Sequence, residues 1–367
     1  MMIPFLDLKR QFVELEAEIT AAATRVLSGG IYVLGHEVES FESEWARFCG
    51  VAGAAAVGSG TDALTLALIA SGAVRTNHGD EVITSTLTSP YTALSIVKAG
   101  GVPVFVDIDP SSYTIQPEDI ERAITPQTRA IVPVHLYGQI ADMTSIEEIA
   151  AQRNLIVIED AAQAHGARSG KQGAGSAVAA SYSFYPTKNL GGYGDGGIVT
   201  SNDESIIETV KVLRQGGHNA ALKTNIAGLN SRLDEVQAAI LRAKLKRLDE
   251  WNDRRRRLAR MYTEALQEAR QIKLPVVDEP ESHVHHLYVI QHENRDGLQN
   301  HLLAREIETL IHYPSLLHQQ PLFRQSSQRS LPVAESLVNK ILSLPLYPQL
   351  KDVELEKVTT AVLSYRA

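Results

Sequence analysis

The stretch Leu155–Gly166, LIVIEDAAQAHG, holds a four-residue apolar run, Leu155 to Ile158, that stops abruptly at Glu159 and Asp160. A short run that is apolar on both faces predicts a buried parallel strand followed by a loop. In open α/β sheets ligands bind beyond the carboxyl ends of the strands, which puts Asp160 at the mouth of a crevice. A carboxylate there can keep a heterocyclic nitrogen protonated, and Gln163 and His165 follow closely enough to touch the same ring. Glu159 reads better as an ordinary polar loop residue.

Upstream, Ala54–Leu68, AAAVGSGTDALTLAL, passes from an apolar stretch through Gly58, Ser59, Gly60, Thr61 and Asp62 into helically spaced Leu64, Leu66, Ala67 and Leu68. The amides at such a helix start form an anion site, so Gly60 and Thr61 are candidates to cradle a phosphate. The spacing matches neither the nucleoside-triphosphate loop nor the full dinucleotide fingerprint. Downstream, Ser181–Gly197, SYSFYPTKNLGGYGDGG, surrounds Lys188 with apolar Phe184, Tyr185 and Pro186, hydroxyls at Ser183 and Thr187, and five glycines. A lysine attacks carbonyls only when neutral, so an imine-forming lysine needs its pKa lowered from about 10.4 by desolvation or a nearby cation. Glycines let backbone approach a flat ligand. Taken alone, Lys188 also fits a solvated surface lysine beside a turn.

Around these segments, Glu81–Thr84, Val102–Val106, Ala130–Val134, Leu155–Ile158 and Ile198–Ser201 read as short strands. Thr92–Ala99, Pro117–Ala123 and Thr144–Arg153 read as intervening helices. This alternation predicts an α/β fold, a mostly parallel mixed sheet with helices on both faces. From Asp234 a long amphipathic pattern predicts a helix that bends or breaks near Asp249 and leads into a smaller α/β C-terminal domain. We therefore expect a large domain over residues 1–245, with its N-terminal segment free to pack elsewhere, and a small one over 246–367. In the latter, Val284–Gln291 reads as a strand, Arg295–Glu306 as a helix and Pro314–Pro321 as a loop.

The chain has 367 residues, 44% of them hydrophobic, enough to bury a sizeable core. Its one cysteine, Cys49, leaves no intramolecular disulfide and no thiolate metal site, and reads as a small buried hydrophobe. No run reaches the roughly 18 apolar residues of a membrane span, and the N-terminus lacks a signal-peptide core, so a cytoplasmic protein is expected. A net charge of −8 argues against nucleic acid. The basic run Arg254–Arg257 stands beside Asp249, Glu250 and Asp253 and reads as a solvated or subunit-facing helix. His283 and His285 share a face of the expected strand, with His286 beside them, but no acidic or cysteine partner stands at a ligand spacing. No metal is expected, and the three read as structural.

The motifs SGTDAL, EDAAQAHGA, SFYPTKNLGGYGDGG, GLNSRLDEVQAA, HHLYVI and IHYPSLLHQQP, in this order, together resemble the DegT family of sugar-nucleotide aminotransferases, which are fold type I pyridoxal-phosphate enzymes. The likeness runs from FLDLKRQF to LSLPLYPQL. It implies that Lys188 carries pyridoxal 5′-phosphate as an imine, that Asp160 pairs with the ring nitrogen and that Gln163 bonds the ring hydroxyl. It further implies that Gly60, Thr61 and Ser183 bind the phosphate, and that Asn230 reaches the cofactor of a neighbouring subunit, making a homodimer with shared sites. His312 and Tyr313, with Tyr185, Ser89 and Lys223, resemble the part that faces the sugar nucleotide.

The resemblance implies ping-pong transfer of an amino group from L-glutamate to a nucleotide-linked keto sugar, in deoxyamino sugar biosynthesis of the kind that serves lipopolysaccharide or O-antigen. The block NSRLDEVQAAILRAKLKRLDEWN leans toward carbon 3 of a dTDP-3-keto-6-deoxyhexose; carbon 4 of a dTDP- or UDP-linked sugar is the alternative. Relatives that deoxygenate sugars replace the lysine with histidine, against Lys188; a non-catalytic regulator that kept the fold is the alternative of another class. Two departures stand out. Ser89 replaces an aromatic that in many members stacks on the cofactor ring, so either Tyr91 takes part of that role or smaller groups cover the ring. Ala221, Leu222 and Lys223 replace a basic and aromatic cluster.

Overall fold

The structure, a computed structural model, describes residues 2–366 apart from 76–77, 171, 176, 219–226, 278 and 325–328. Its strands are β1 (Gly53–Val57), β2 (Glu81–Ser85), β3 (Val102–Val106), β4 (Thr128–Val132), β5 (Ile156–Asp160), β6 (Arg168–Ser169), β7 (Gln172–Gly173), β8 (Ala179–Ser183), β9 (Gly197–Ser201), β10 (Tyr288–Gln291) and β11 (Ile341–Leu344). The helices are α1 (Leu8–Glu14), α2 (Glu16–Gly29), α3 (His36–Cys49), α4 (Gly60–Ala70), α5 (Pro90–Ala99), α6 (Pro117–Ala123), α7 (Met143–Arg153), α8 (Glu204–Leu213), α9 (Glu235–Leu245), α10 (Leu248–Leu266), α11 (Arg295–Leu303), α12 (Pro332–Leu337) and α13 (Asp352–Ser364).

Seven strands form one sheet in the order β1-β9-β8-β5-β4-β2-β3. Only β9 runs against its neighbours, pairing antiparallel with β1 and β8, so the sheet is mostly parallel as expected. Alternate residues serve opposite faces. On β1, Ala55 and Val57 join α4, α5 and α8 in one apolar layer, while Ala54 and Ala56 join α3, α6, α7 and α9 in the other. The same alternation separates Ile158 from Val157 on β5. Helix starts follow local chemistry: the Ser59 hydroxyl accepts from the Asp62 amide at 3.1 Å ahead of α4, and Pro90 opens α5.

A second core gathers Tyr288 and Ile290 of β10, Leu342 and Leu344 of β11, and apolar faces of α10, α11 and α13. Ile3 joins it and pairs with Ile307, so the N-terminal segment packs on C-terminal elements. No helix among the described residues is long and apolar enough to cross a membrane.

Several expectations shift. Strand β5 runs to Asp160, so Glu159 is a strand residue and no polar loop residue. The long C-terminal pattern does break as expected, between Leu245 and Leu248, just before Asp249. The strand expected over Val284–Gln291 begins only at Tyr288: His285 has a φ of 44°, and the carbonyls of His285 and His286 turn to the Arg255 guanidinium. Arg255 is thereby buried, which corrects the reading of Arg254–Arg257 as a wholly solvated run; Arg254 and Arg257 pair with Asp352.

Candidate active site

Asp160 closes β5 at the carboxyl end of the sheet and is buried. Its carboxylate accepts from Thr92 Oγ1 at 2.7 Å and from the Ala162 amide at 3.2 Å. Alternation turns the preceding Glu159 the other way, into a fully buried clamp. It accepts from the amides of Gly175 and Ala177, each at 2.7 Å, and from His135 Nε2 at 2.7 Å. His135 Nδ1 takes the Ala141 amide, which leaves Nε2 as the protonated nitrogen.

Strands β8 and β5 are neighbours with Ser181 opposite Asp160, so Ser183 lies two residues beyond at the same end of the sheet, where the start of α4 packs against it. A Cβ on Gly60 would come within 2.6 Å of Ser183 Cβ, so only glycine permits the approach. The first amides of α4, from Gly60 and Thr61, have no partner within the helix and make an anion cradle with Ser183. Asn230 lies alongside. Its neighbour Ser231 takes the Gly58 amide at 2.9 Å and donates to Asp62 at 2.7 Å, while Asn230 itself is exposed.

Lys188 follows in a turn closed by its amide on the Tyr185 carbonyl at 2.9 Å. Burial pushes its amine down to about 8, against the opposing pull of the Asp160 charge. The glycines after it are pinned from behind. Gln237 Oε1 takes the Tyr193 amide at 2.7 Å, and Lys244 is fully buried with its Nζ on the Gly191 carbonyl and 4.7 Å from the centre of the Tyr193 ring. Burial pushes Lys244 down to about 7. His165 is fully buried. Its Nε2 donates to the Ser183 carbonyl at 2.9 Å, and burial, then the Lys188 charge, lowers it to about 3.

Gln163 Oε1 takes the Tyr137 amide at 2.6 Å, and its Nε2 donates to the Tyr313 hydroxyl at 3.0 Å. The Ser89 side chain lies beside that hydroxyl, which burial pushes up to about 12. Ser89 therefore meets an aromatic residue from the C-terminal part of the chain. Tyr91 is 62% exposed. His312 stacks on Phe5 at 5.6 Å, binds Ser343 Oγ at 2.9 Å through Nδ1, and falls to about 4 through burial and the Lys188 charge. Gly60, Thr61, Ser89, Asp160, Gln163, Ser183, Lys188, His312 and Tyr313 thus converge. Tyr185 is 52% exposed but joins them through its backbone, its amide on Ser183 Oγ at 3.3 Å and its carbonyl on the Lys188 amide; Lys223, with Ala221 and Leu222, lies outside the described residues.

Sequence reasoning missed Thr92, Asn189, His286, Arg255 and Lys244. Thr92 alone left a signal, as a hydroxyl on the buried face of a helix starting at Pro90. His283 and His285 stack ring on ring at 3.9 Å, and no cluster of three or more potential metal ligands occurs among the described residues.

A family model for the DegT/DnrJ/EryC1/StrS aminotransferase family matches residues 13–363. The chain belongs to this family. Relative to the dTDP-3-amino-3,4,6-trideoxy-α-D-glucose transaminase of Streptomyces venezuelae, this DegT-family aminotransferase is 46% identical over 364 residues, 98% of its own chain and 95% of the relative. It is 45% identical over 354 residues to the erythromycin biosynthesis sensory transduction protein EryC1 of Saccharopolyspora erythraea, covering 95% and 96% of the two chains. It also superimposes over the full length of both chains on the crystal structure of S. venezuelae DesV in complex with a ketimine intermediate, with a TM-score of 0.96 and 43% identity.

An aminotransferase of this family depends on pyridoxal 5′-phosphate, and the residues present fit it. The Gly60–Ser183 approach that a Cβ would fill suits a phosphate, the buried Asp160 carboxylate suits a cationic ring nitrogen, and the depressed Lys188 amine suits a carbonyl.

Proposed function

We propose that the protein moves an amino group from L-glutamate to the keto group of a nucleotide-linked deoxyhexose, at carbon 3 of a dTDP-3-keto-6-deoxyhexose, by a ping-pong mechanism. The observation that carries this reading is the meeting of a Lys188 amine lowered to about 8 with the buried Asp160 carboxylate and the Gly60–Ser183 cradle. Bound there, pyridoxal phosphate supplies an electron sink for charge developed at the substrate carbon. Asp160 holds the ring nitrogen protonated, Gln163 bonds the ring hydroxyl, and Gly60, Thr61 and Ser183 hold the phosphate. Once freed, Lys188 is close enough to neutral at physiological pH to take a proton from the substrate carbon and return it.

His312, Tyr313, Ser89, Tyr185 and Lys223 are assigned to the sugar nucleotide, and Asn230 to the cofactor of a second subunit in a homodimer. The names of the relatives support the carbon-3 assignment: transaminases of dTDP-3-amino sugars recur among them. We also propose the division at residues 245 and 246, supported by the break between α9 and α10 and the separate C-terminal core, and a cytoplasmic location.

The test offers purified holoprotein L-glutamate, followed by dTDP- and UDP-linked 3-keto and 4-keto sugars, with products read by mass. Loss of the visible cofactor band with release of 2-oxoglutarate, then amination of the dTDP-3-keto sugar, is expected. Amination confined to 4-keto sugars would overturn the carbon-3 assignment, and no turnover at all would favour a regulator.

A further inference from the structure

Asn189 follows Lys188 directly, and its side chain is fully committed. Nδ2 donates to Asn252 Oδ1 at 2.9 Å and to the Val284 carbonyl at 3.1 Å, which fixes the amide's orientation. Its Oδ1 then faces His286 Nδ1 at 3.1 Å and can only accept, so Nδ1 carries the proton. The imidazole is neutral, because burial and then the charges of Lys188 and Arg255 hold its pKa far below the usual value.

The backbone of His286 is equally constrained. Arg255 Nη1 reaches its carbonyl at 3.4 Å and those of His285 and Leu346 at 3.2 and 2.9 Å. The Leu287 amide bonds the Tyr137 carbonyl at 3.3 Å, and a Cβ on Gly138 would come 2.9 Å from the His286 nitrogen. Tyr137 is the residue whose amide holds Gln163. The chain at His286 and Leu287 therefore touches both sides of the site: the Leu287 amide reaches Tyr137, which holds Gln163, and the His286 ring reaches the Lys188 turn through Asn189.

We propose that His286 is a positioning residue for amino transfer, acting through its Nδ1–H on Asn189 to set the geometry of the Lys188 turn. This rests on Lys188 being the cofactor-bearing lysine. The imidazole nitrogens can be separated by amide replacements: His286→Asn keeps a donor near the Nδ1 position, and His286→Gln moves it to the Nε2 position.

The test uses holoprotein of each variant, of Asn189→Ala and of the double variant His286→Gln/Asn189→Ala. Folding is checked by thermal unfolding, and the readouts are kcat, KM for L-glutamate and the pH midpoint of the visible cofactor band. Loss of a buried hydrogen bond of this kind predicts a fall in kcat of about 10- to 100-fold in His286→Gln, with KM within about threefold and a displaced midpoint. His286→Asn should restore most of the rate and the midpoint, and the double variant should lose no more than the larger single loss. Equal losses in both histidine variants, wild-type behaviour in His286→Gln, or additive losses in the double variant would each overturn the proposal. Lys188→Ala is run alongside: if it keeps the wild-type band, the Lys188 reading fails, whereas its loss of the band confines any failure to His286.

Discussion

Thr92 Oγ1 donates a 2.7 Å hydrogen bond to Oδ2 of Asp160, tying the first turn of α5 to the end of β5. The hydroxyl satisfies one oxygen of a buried carboxylate and aims the group. Thr92→Val keeps the shape and removes the donor, and should cost about 1–3 kcal/mol of transition-state stabilisation, roughly a 5- to 150-fold fall in kcat/KM. Asp160→Asn should cost more, because the amide brings no negative charge to the ring nitrogen. Steady-state kinetics with L-glutamate checks both.

Tyr313 takes its hydrogen bond from Gln163 at 3.0 Å and lies beside Ser89, bringing the C-terminal part of the chain to the start of α5. Tyr313→Phe should raise KM for the sugar nucleotide about fivefold, the value of about 1 kcal/mol for one neutral hydrogen bond, and leave the glutamate half-reaction within about twofold. Ser89→Phe, which puts back the aromatic found in many members, should displace Tyr313 and raise the same KM further. Comparing the two half-reactions separates these effects from damage to the cofactor site.

Gly60→Ala places a methyl group 2.6 Å from Ser183 Cβ, so the cradle must open. Alanine is a good helix former and α4 should survive. Cofactor affinity should fall at least about tenfold, read by absorbance titration of the apoprotein, with the thermal midpoint of the apoprotein little changed.

The Lys188 amine is lowered to about 8 by burial, so between pH 8 and its ordinary value of 10.5 the unfolded chain binds more protons than the folded one. Stability of the apoprotein therefore rises with pH across that window, and the burial penalty is fully present below it. Lys188→Met carries no such penalty. It should be the more stable protein at pH 7 in chemical denaturation, and its advantage should shrink as pH rises from about 8 toward 10.5. A constant or growing advantage would contradict the assigned burial.

Asp160 is legible in the sequence because a buried strand must be apolar until it nears the ligand side, so the acidic pair after Ile158 marks the strand end, and Asp160 is its last residue. Gly60 is legible for a similar reason, since a helix start that receives an anion cannot afford a side chain. Glu159 is misjudged because its three donors come from residues up to 24 positions away and leave no local trace. The segment 284–287, VHHL, leads straight into apolar Tyr288–Ile290 and so reads as strand, whereas the Arg255 guanidinium, 30 residues away in the chain, holds its carbonyls in a bend. His286 and Lys244 likewise owe their positions to contacts across the sheet, with Asn189 97 residues away and Gly191 53 residues away.

Two lysines in the described structure are pushed far down by burial, Lys188 to about 8 and Lys244 to about 7, and only Lys188 faces Asp160. Borohydride reduction of the holoprotein fixes the cofactor to whichever lysine carries it, and peptide mass mapping then locates the label. The label is expected on Lys188, within the peptide containing Tyr185 and Asn189. A label on Lys244, or on any other lysine, would contradict the account.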